Sequence, residues 1–180
     1  MQKNIFDFLL AFLLLCLSLW IIFIAVIVSS LDTQSIGLFI QKRIGRHGSI
    51  FKIFKIKTID SKQRISAFGR FLRKSKLDEL PQLLNVLIGD MSFVGPRPDI
   101  PGYYDELEGE ERKILELKPG ITSLASIKYK DEEELLSRQT DPLRYNDEVI
   151  FKDKVKMNLE YYYTRTFIGD VKILIKTIFG

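Results

Sequence analysis

The sequence predicts a small α+β membrane protein, and three observations carry that reading. From Phe8 to Val28 the chain is almost wholly apolar and carries no charge, FLLAFLLLCLSLWIIFIAVIV. At about 1.5 Å per residue this run makes roughly 30 Å of helix, the thickness of a bilayer core. Ile36 to Thr58 then reads as two short β-rich segments around the turn Gly45-Arg46-His47-Gly48. Beyond them, short stretches place apolar residues at helical spacing with charges opposite. The expected architecture is an N-terminal membrane-embedded helix over residues 1–31, re-entrant or spanning. A domain over residues 32–180 follows, with a short β-rich segment and several amphipathic interfacial helices around one active site.

The 180 residues suffice for one domain with a real core. Twenty-seven basic against 23 acidic residues leave a net charge of +4, which suits anionic headgroups or phosphorylated substrates. No nucleic-acid recognition motif accompanies that charge, so nucleic acid is not an expected partner. The apolar run is longer than a signal-peptide core and no A-x-A-like site follows it, so it reads as retained. The single cysteine, Cys16, lies inside the run; there is neither a disulfide framework nor a zinc set, as fits a cytoplasm-facing protein. Lys42, Arg43 and Arg46 follow the run and place its C-terminal side in the cytoplasm.

After the β-rich segment, Ile65 to Lys76 reads as a short amphipathic helix. Phe68, Phe71 and Leu72 lie to one side and Arg70, Arg73 and Lys74 to the other. The next stretch, Lys76 to Pro98, is KLDELPQLLNVLIGDMSFVGPRP. Leu80, Leu83, Leu84 and Leu87 follow the spacing of one buried helical face, with Asp78 as N-cap and Pro81 in the first turn. Gly89 ends that helix and Gly95-Pro96-Arg97-Pro98 makes a rigid turn. An adjacent acidic pair, Asp78-Glu79, thus stands at a helix start, with a guanidinium on a stiff loop. Such a set suits phosphate chemistry and offers a Mg²⁺ seat, although acidic residues at a helix start are also ordinary caps.

Farther on, the run Asp105–Glu111 predicts a solvated helix, and Glu132 to Gln139 a second charged helix ending near Asp141-Pro142. Tyr161, Tyr162 and Tyr163 read equally as core or interfacial aromatics. Phe167 to Phe179 predicts an amphipathic helix with Phe167, Val171, Leu174, Ile175 and Ile178 on one face; membrane interface and core packing are both open to it. His47, the only histidine, reads as a solvated loop residue.

LDELPQLLNVLIGDMSFVGPRP resembles the signature of the bacterial sugar transferases, the monotopic phosphoglycosyl transferase family. Phe51-Lys52-Ile53-Phe54-Lys55, Lys57-Thr58 and Lys118-Pro119-Gly120-Ile121-Thr122 extend the likeness, and Ser123-Leu124-Ala125-Ser126 is the version seen in its smaller members. Two departures stand out. The family breaks its membrane helix at a Ser-Pro pair, where this chain has Ser18-Leu19 and no proline; Ser18 could loosen the helix only by bonding back to a carbonyl. Lys57 stands where members usually carry arginine.

The resemblance implies transfer of a sugar-1-phosphate from a UDP-sugar to undecaprenyl phosphate at the bacterial inner membrane. Asp78 would be the nucleophile, with UMP expelled from an aspartyl-phosphosugar intermediate. Glu79 would serve as base or metal partner, with Mg²⁺ held by Asp78, Glu79 or both. Arg73 and Arg97 would contact phosphate, and Lys55 and Lys57 would do so or sit on a basic membrane-facing surface. At a helix start Asp78 is expected to stay ionised. A lipid- or partner-binding module and a membrane-bound phosphohydrolase are the alternatives; the sugar and self-association are open.

Overall fold

A computed structural model describes residues 2–179. It is a mixed helix and strand structure whose contacts divide the chain into two compact units. The first holds residues 1–43 and 50–91, the second residues 44–49 and 92–180.

The first unit begins with α1, Gln2–Thr33. Among the described residues it is the one helix long and apolar enough to cross a membrane. It runs unbroken through Ser18, whose hydroxyl donates to Leu14 O at 2.6 Å, the back-bond the sequence predicts. Its pattern is inverted relative to a soluble helix. Asp7, Ala11, Ser18, Ala25, Ser29 and Thr33 are buried, while Leu17, Trp20 and Phe23 are each more than 60% exposed. Water would not tolerate so large an apolar surface, and lipid would.

The strands β1 (Leu38–Ile44) and β2 (Ile50–Ile56) pair as a two-stranded sheet, as the β-rich segment predicts, with His47 exposed in the turn between them. The end of α1 is stapled to this sheet by its hydroxyls. Ser29 Oγ donates to Lys57 O, Gly37 N donates to Ser30 Oγ at 2.8 Å, and Lys57 N donates to Gly37 O at 2.8 Å. Helix α2, Ala67–Lys74, is capped by Ser66, which accepts from Gly69 N and donates to Asp32 Oδ2 at 2.6 Å. Leu72 packs with Ala25 and Ile56, Phe68 lies against them, and Phe71, expected on their side of the helix, turns outward.

A 3₁₀ turn, Leu77–Glu79, leads into α3, Gln82–Ile88. This corrects the expected capping: Pro81, not Asp78, is the N-cap of α3, and Asp78 lies inside the preceding turn. Pro81 has no N–H to continue the ladder, so the helical hydrogen bonds are interrupted there. The expected face is also corrected. Gln82, Leu83, Asn85 and Val86 are buried, whereas Leu84 and Ile88 are exposed. Gly89, at φ 93°, ends the helix as expected.

The second unit is built on a parallel pair, β3 (Ser92–Val94) with β4 (Gly120–Thr122), in register Ser92 to Gly120 and Val94 to Thr122. Two separate sequence motifs, the Gly-Pro-Arg-Pro turn and Lys-Pro-Gly-Ile-Thr, are thereby clasped backbone to backbone. Gly120 N donates to Pro96 O at 2.8 Å and Gly95 N to Thr122 O at 3.0 Å. A Cβ on Gly95 would lie 2.3 Å from Lys118 O, and one on Gly120 2.2 Å from Gly95 N. Gly95→Ala must therefore push two backbones apart and is expected to destabilise by about 2 kcal/mol, read as a lower melting temperature.

The segment expected to be a solvated helix forms two 3₁₀ turns instead, Tyr104–Glu106 and Glu111–Glu116. Tyr104, Leu107, Ile114 and Leu115 turn inward from it onto Ile44 and Val155, and Asn158 Nδ2 donates to the buried Tyr104 hydroxyl at 2.8 Å. Helices α4 (Leu124–Lys128), α5 (Glu132–Ser137) and α6 (Pro142–Tyr145) follow, then a π-helical turn, Asn146–Phe151, that runs into α7, Lys152–Thr164. Helix α8, Phe167–Phe179, turns Asp170 and Ile173 inward. Tyr161, a core residue, donates to Asp170 Oδ1 at 2.6 Å, and Thr177 bonds Thr122 at 2.8 Å. The apolar stripe of α8, open to either placement in the sequence, lies largely outside the core. Phe167, Ile175 and Ile178 are exposed, the arrangement of a helix lying on a membrane surface.

Candidate active site

Helix α2 ends at Ser75, and Lys76 then adopts a left-handed conformation, φ 57° and ψ 15°. A non-glycine residue there bears strain, and the reversal it makes turns Asp78 inward. Asp78 is 8% exposed. Its Oδ1 is sealed from solvent and has no hydrogen-bond partner among the described residues. Burial, and then the charge of Glu79, push the Asp78 carboxyl above the ordinary carboxylate range; Lys55, Lys76 and Arg73 pull the other way. The helix start therefore does not supply the stabilisation of the charge expected of it. Asp78 is not at the cap, and desolvation outweighs the cations around it.

Glu79 is held by Lys55, whose Nζ donates to Oε1 at 3.1 Å, both side chains being mostly buried. Lys55 reaches it from β2, and the register between β2 and α3 is fixed by Asn85. The Asn85 side chain, wholly buried, accepts from Phe54 N at 3.2 Å and donates to Lys52 O at 2.7 Å. It completes the hydrogen bonds of β2 as a further strand would. Gln82 is also buried, 3% exposed, and its Nε2 has no partner among the described residues.

Of the residues singled out from the sequence, Asp78, Glu79, Lys55 and Arg73 come together in the first unit. Lys57 belongs to that unit too, but its Nζ donates to Ser35 Oγ at 2.7 Å beyond the end of α1. Arg97 lies in the second unit, half-buried on the loop after β3. Lys76, Asn85 and Gln82 were not read from the sequence as parts of a site. Gln82 and Asn85, polar residues three apart within a run of leucines, are the signal that could have found two of them.

No set of three or more histidine, cysteine or acidic side chains converges on a metal position among the described residues. Mg²⁺ does not need one: it binds through one or two carboxylates and takes its other oxygens from phosphate and water. The Asp78–Glu79 pair, with the unpartnered Oδ1 of Asp78, fits that mode.

This site can place a desolvated carboxylate, flanked by cations, against an electrophilic phosphorus. The comparisons agree with the signature that surrounds it. The whole chain, residues 1–180, matches the family described as bacterial sugar transferase. It is 34% identical over 187 residues to an uncharacterized sugar transferase of Bacillus subtilis, EpsL, covering 98% of this chain and 85% of that one. It is 30% identical over 196 residues to a UDP-glucose:undecaprenyl-phosphate glucose-1-phosphate transferase of Caulobacter vibrioides, covering 99% and 68%. An Escherichia coli protein of that same description is 29% identical over 198 residues, covering 98% of this chain and 39% of its own length. The sequence signature, the mixed fold around it and the match over its whole length place this protein in the bacterial sugar transferase family.

Proposed function

We propose that the protein transfers a sugar-1-phosphate from a UDP-sugar to undecaprenyl phosphate, releasing UMP, as the first membrane step of a polysaccharide or glycoconjugate assembly. The observation that carries this reading is the buried Asp78 carboxylate, its Oδ1 sealed and without a partner among the described residues, under the charges of Lys55, Lys76 and Arg73. A buried acceptor oxygen without a donor costs about 1–3 kcal/mol, and such a cost is typical of functional groups kept free for a substrate. The relatives from Caulobacter vibrioides and Escherichia coli, named for this reaction on UDP-glucose, support the same chemistry here.

In the first step an Asp78 carboxylate oxygen attacks the β-phosphorus of the donor. The bond from that phosphorus to the oxygen bridging it to the α-phosphorus breaks, UMP leaves with the electron pair, and the phosphosugar stays on Asp78 as an acyl phosphate. In the second, a phosphate oxygen of the lipid attacks the same phosphorus. The bond to Asp78 breaks, and its electron pair restores the carboxylate. Lys55 holds Glu79 in place, and Lys76 and Arg73 offset the negative charge that gathers around the phosphorus. Mg²⁺, held by Asp78 and Glu79 with donor phosphate oxygens, would supply further neutralisation.

One substrate is water-soluble and the other dissolved in lipid, so the carboxylate must work at headgroup depth. The apolar surfaces of α1 and of Leu84 and Ile88 on α3 suit that placement, and the basic residues after α1 suit the cytoplasmic face of the inner membrane.

The test is UMP release from a panel of UDP-sugars with Mg²⁺, with and without undecaprenyl phosphate in detergent. Sustained release only with the lipid is the expected result; sustained release without it identifies a phosphohydrolase. A second expectation concerns pH. Because Asp78 titrates above the ordinary carboxylate range, the acid limb of kcat/KM lies above that range as well. Lys76→Gly removes a cation that favours the ionised form and moves this limb to higher pH, while easing the left-handed backbone.

A further inference from the structure

Two sealed, unpartnered polar atoms occupy the same stretch of backbone: Asp78 Oδ1, an acceptor, and Gln82 Nε2, a donor. They are four residues apart in sequence, Asp78 in the 3₁₀ turn and Gln82 opening α3, with Leu80 and Pro81 in the right-handed helical region between them. Each lacks what the other could supply, yet they are not bonded to one another. A neutral amide at 3% exposure also adds little to packing that a methionine would not. What satisfies both atoms together is a tetrahedral phosphoryl group, bonded to or approaching the Asp78 oxygen while one of its non-bridging oxygens accepts from Gln82.

We propose that Gln82 contacts the substrate, its Nε2–H donating to a non-bridging oxygen of the phosphoryl group transferred through Asp78. This rests on the aspartyl-transfer reading given above. The donor is uncharged and buried, so it gains strength as charge builds on those oxygens and costs no reorganisation at that moment.

The test uses the full-length protein in detergent with Mg²⁺, undecaprenyl phosphate and the UDP-sugar that it turns over, comparing wild type, Gln82→Met and Gln82→Glu. Gln82→Met removes the donor at nearly constant shape. It is expected to melt no lower than wild type and to lose about a hundredfold in kcat/KM, with the fall in kcat. Gln82→Glu keeps the shape but adds an acceptor and a charge, and is expected to be slower still. Unchanged kinetics in Gln82→Met overturns the assignment while lipid-dependent UMP release by wild type leaves the transfer reading standing. An acid limb of kcat/KM displaced to higher pH, with kcat unchanged once Asp78 is ionised, overturns it too, because Gln82 would then serve the carboxylate alone. Wild type that releases no UMP from any donor removes the transfer reading and this assignment with it.

Discussion

Asp78→Asn is expected to abolish lipid-dependent UMP release, by more than about a thousandfold, while raising the melting temperature at neutral pH. The two effects have one cause. Burial and the neighbouring Glu79 charge raise the folded-state pKa of Asp78 above its unfolded value. A group shifted in that direction contributes its stability below the unfolded pKa and loses it as pH rises through the folded pKa. At neutral pH the ionised carboxylate therefore works against folding, and a neutral carboxamide of the same shape removes that cost. The gain should shrink as pH falls and vanish below the ordinary carboxylate range, where Asp78 is protonated in both states. Thermal melts of the two proteins across pH, run beside the UMP assay, read both effects. Wild-type turnover in the variant would remove Asp78 as nucleophile, and a lower melting temperature at neutral pH would contradict the electrostatic account.

The acidic pair and its signature were legible because they are local: a fixed order of Asp-Glu, Pro, Asn, Gly-Asp-Met-Ser and Pro-Arg-Pro along consecutive positions. Helix α1, the paired strands β1 and β2, and the stop at Gly89 were legible for the same reason, since each follows from a run, an alternation or one glycine. On α3 the rule that apolar faces turn inward fails: Leu84 faces out, and Gln82 and Asn85 face in. On α8, to which both placements are open in the sequence, Ile175 and Ile178 face out and Asp170 faces in. A helix with lipid outside and a polar site inside shows this arrangement, and periodicity alone cannot tell which side is which. The position of Asp78 was misread for a different reason. The left-handed dihedral of Lys76 has no sequence signal at a non-glycine residue, and it decides whether the acidic pair caps a helix or lies in the turn before it. Nor could spacing show that Asn85 reaches across to β2, or that Lys55, 24 residues before Glu79, closes on its carboxylate.

Asn85→Ala should be the most destabilising single change in the first unit, costing about 2–5 kcal/mol and lowering the melting temperature accordingly. The side chain is wholly buried, and truncation strands two buried backbone groups, the Phe54 N–H and the Lys52 carbonyl, besides leaving a cavity. Asn85→Asp should fare almost as badly: it retains an acceptor for Phe54 N but sets a second oxygen against Lys52 O and buries a charge. Both backbone groups lie just ahead of Lys55 on β2, so the lost register also frees the ammonium that holds Glu79. Each variant should therefore lose more activity than stability explains when assayed well below its melting temperature. Lys55→Met provides the comparison, since it removes the ion pair and keeps the β2 hydrogen bonds. If Asn85→Ala, assayed while folded, were as active as wild type and Lys55→Met were not, Asn85 would hold the fold together without setting the geometry of the acidic pair.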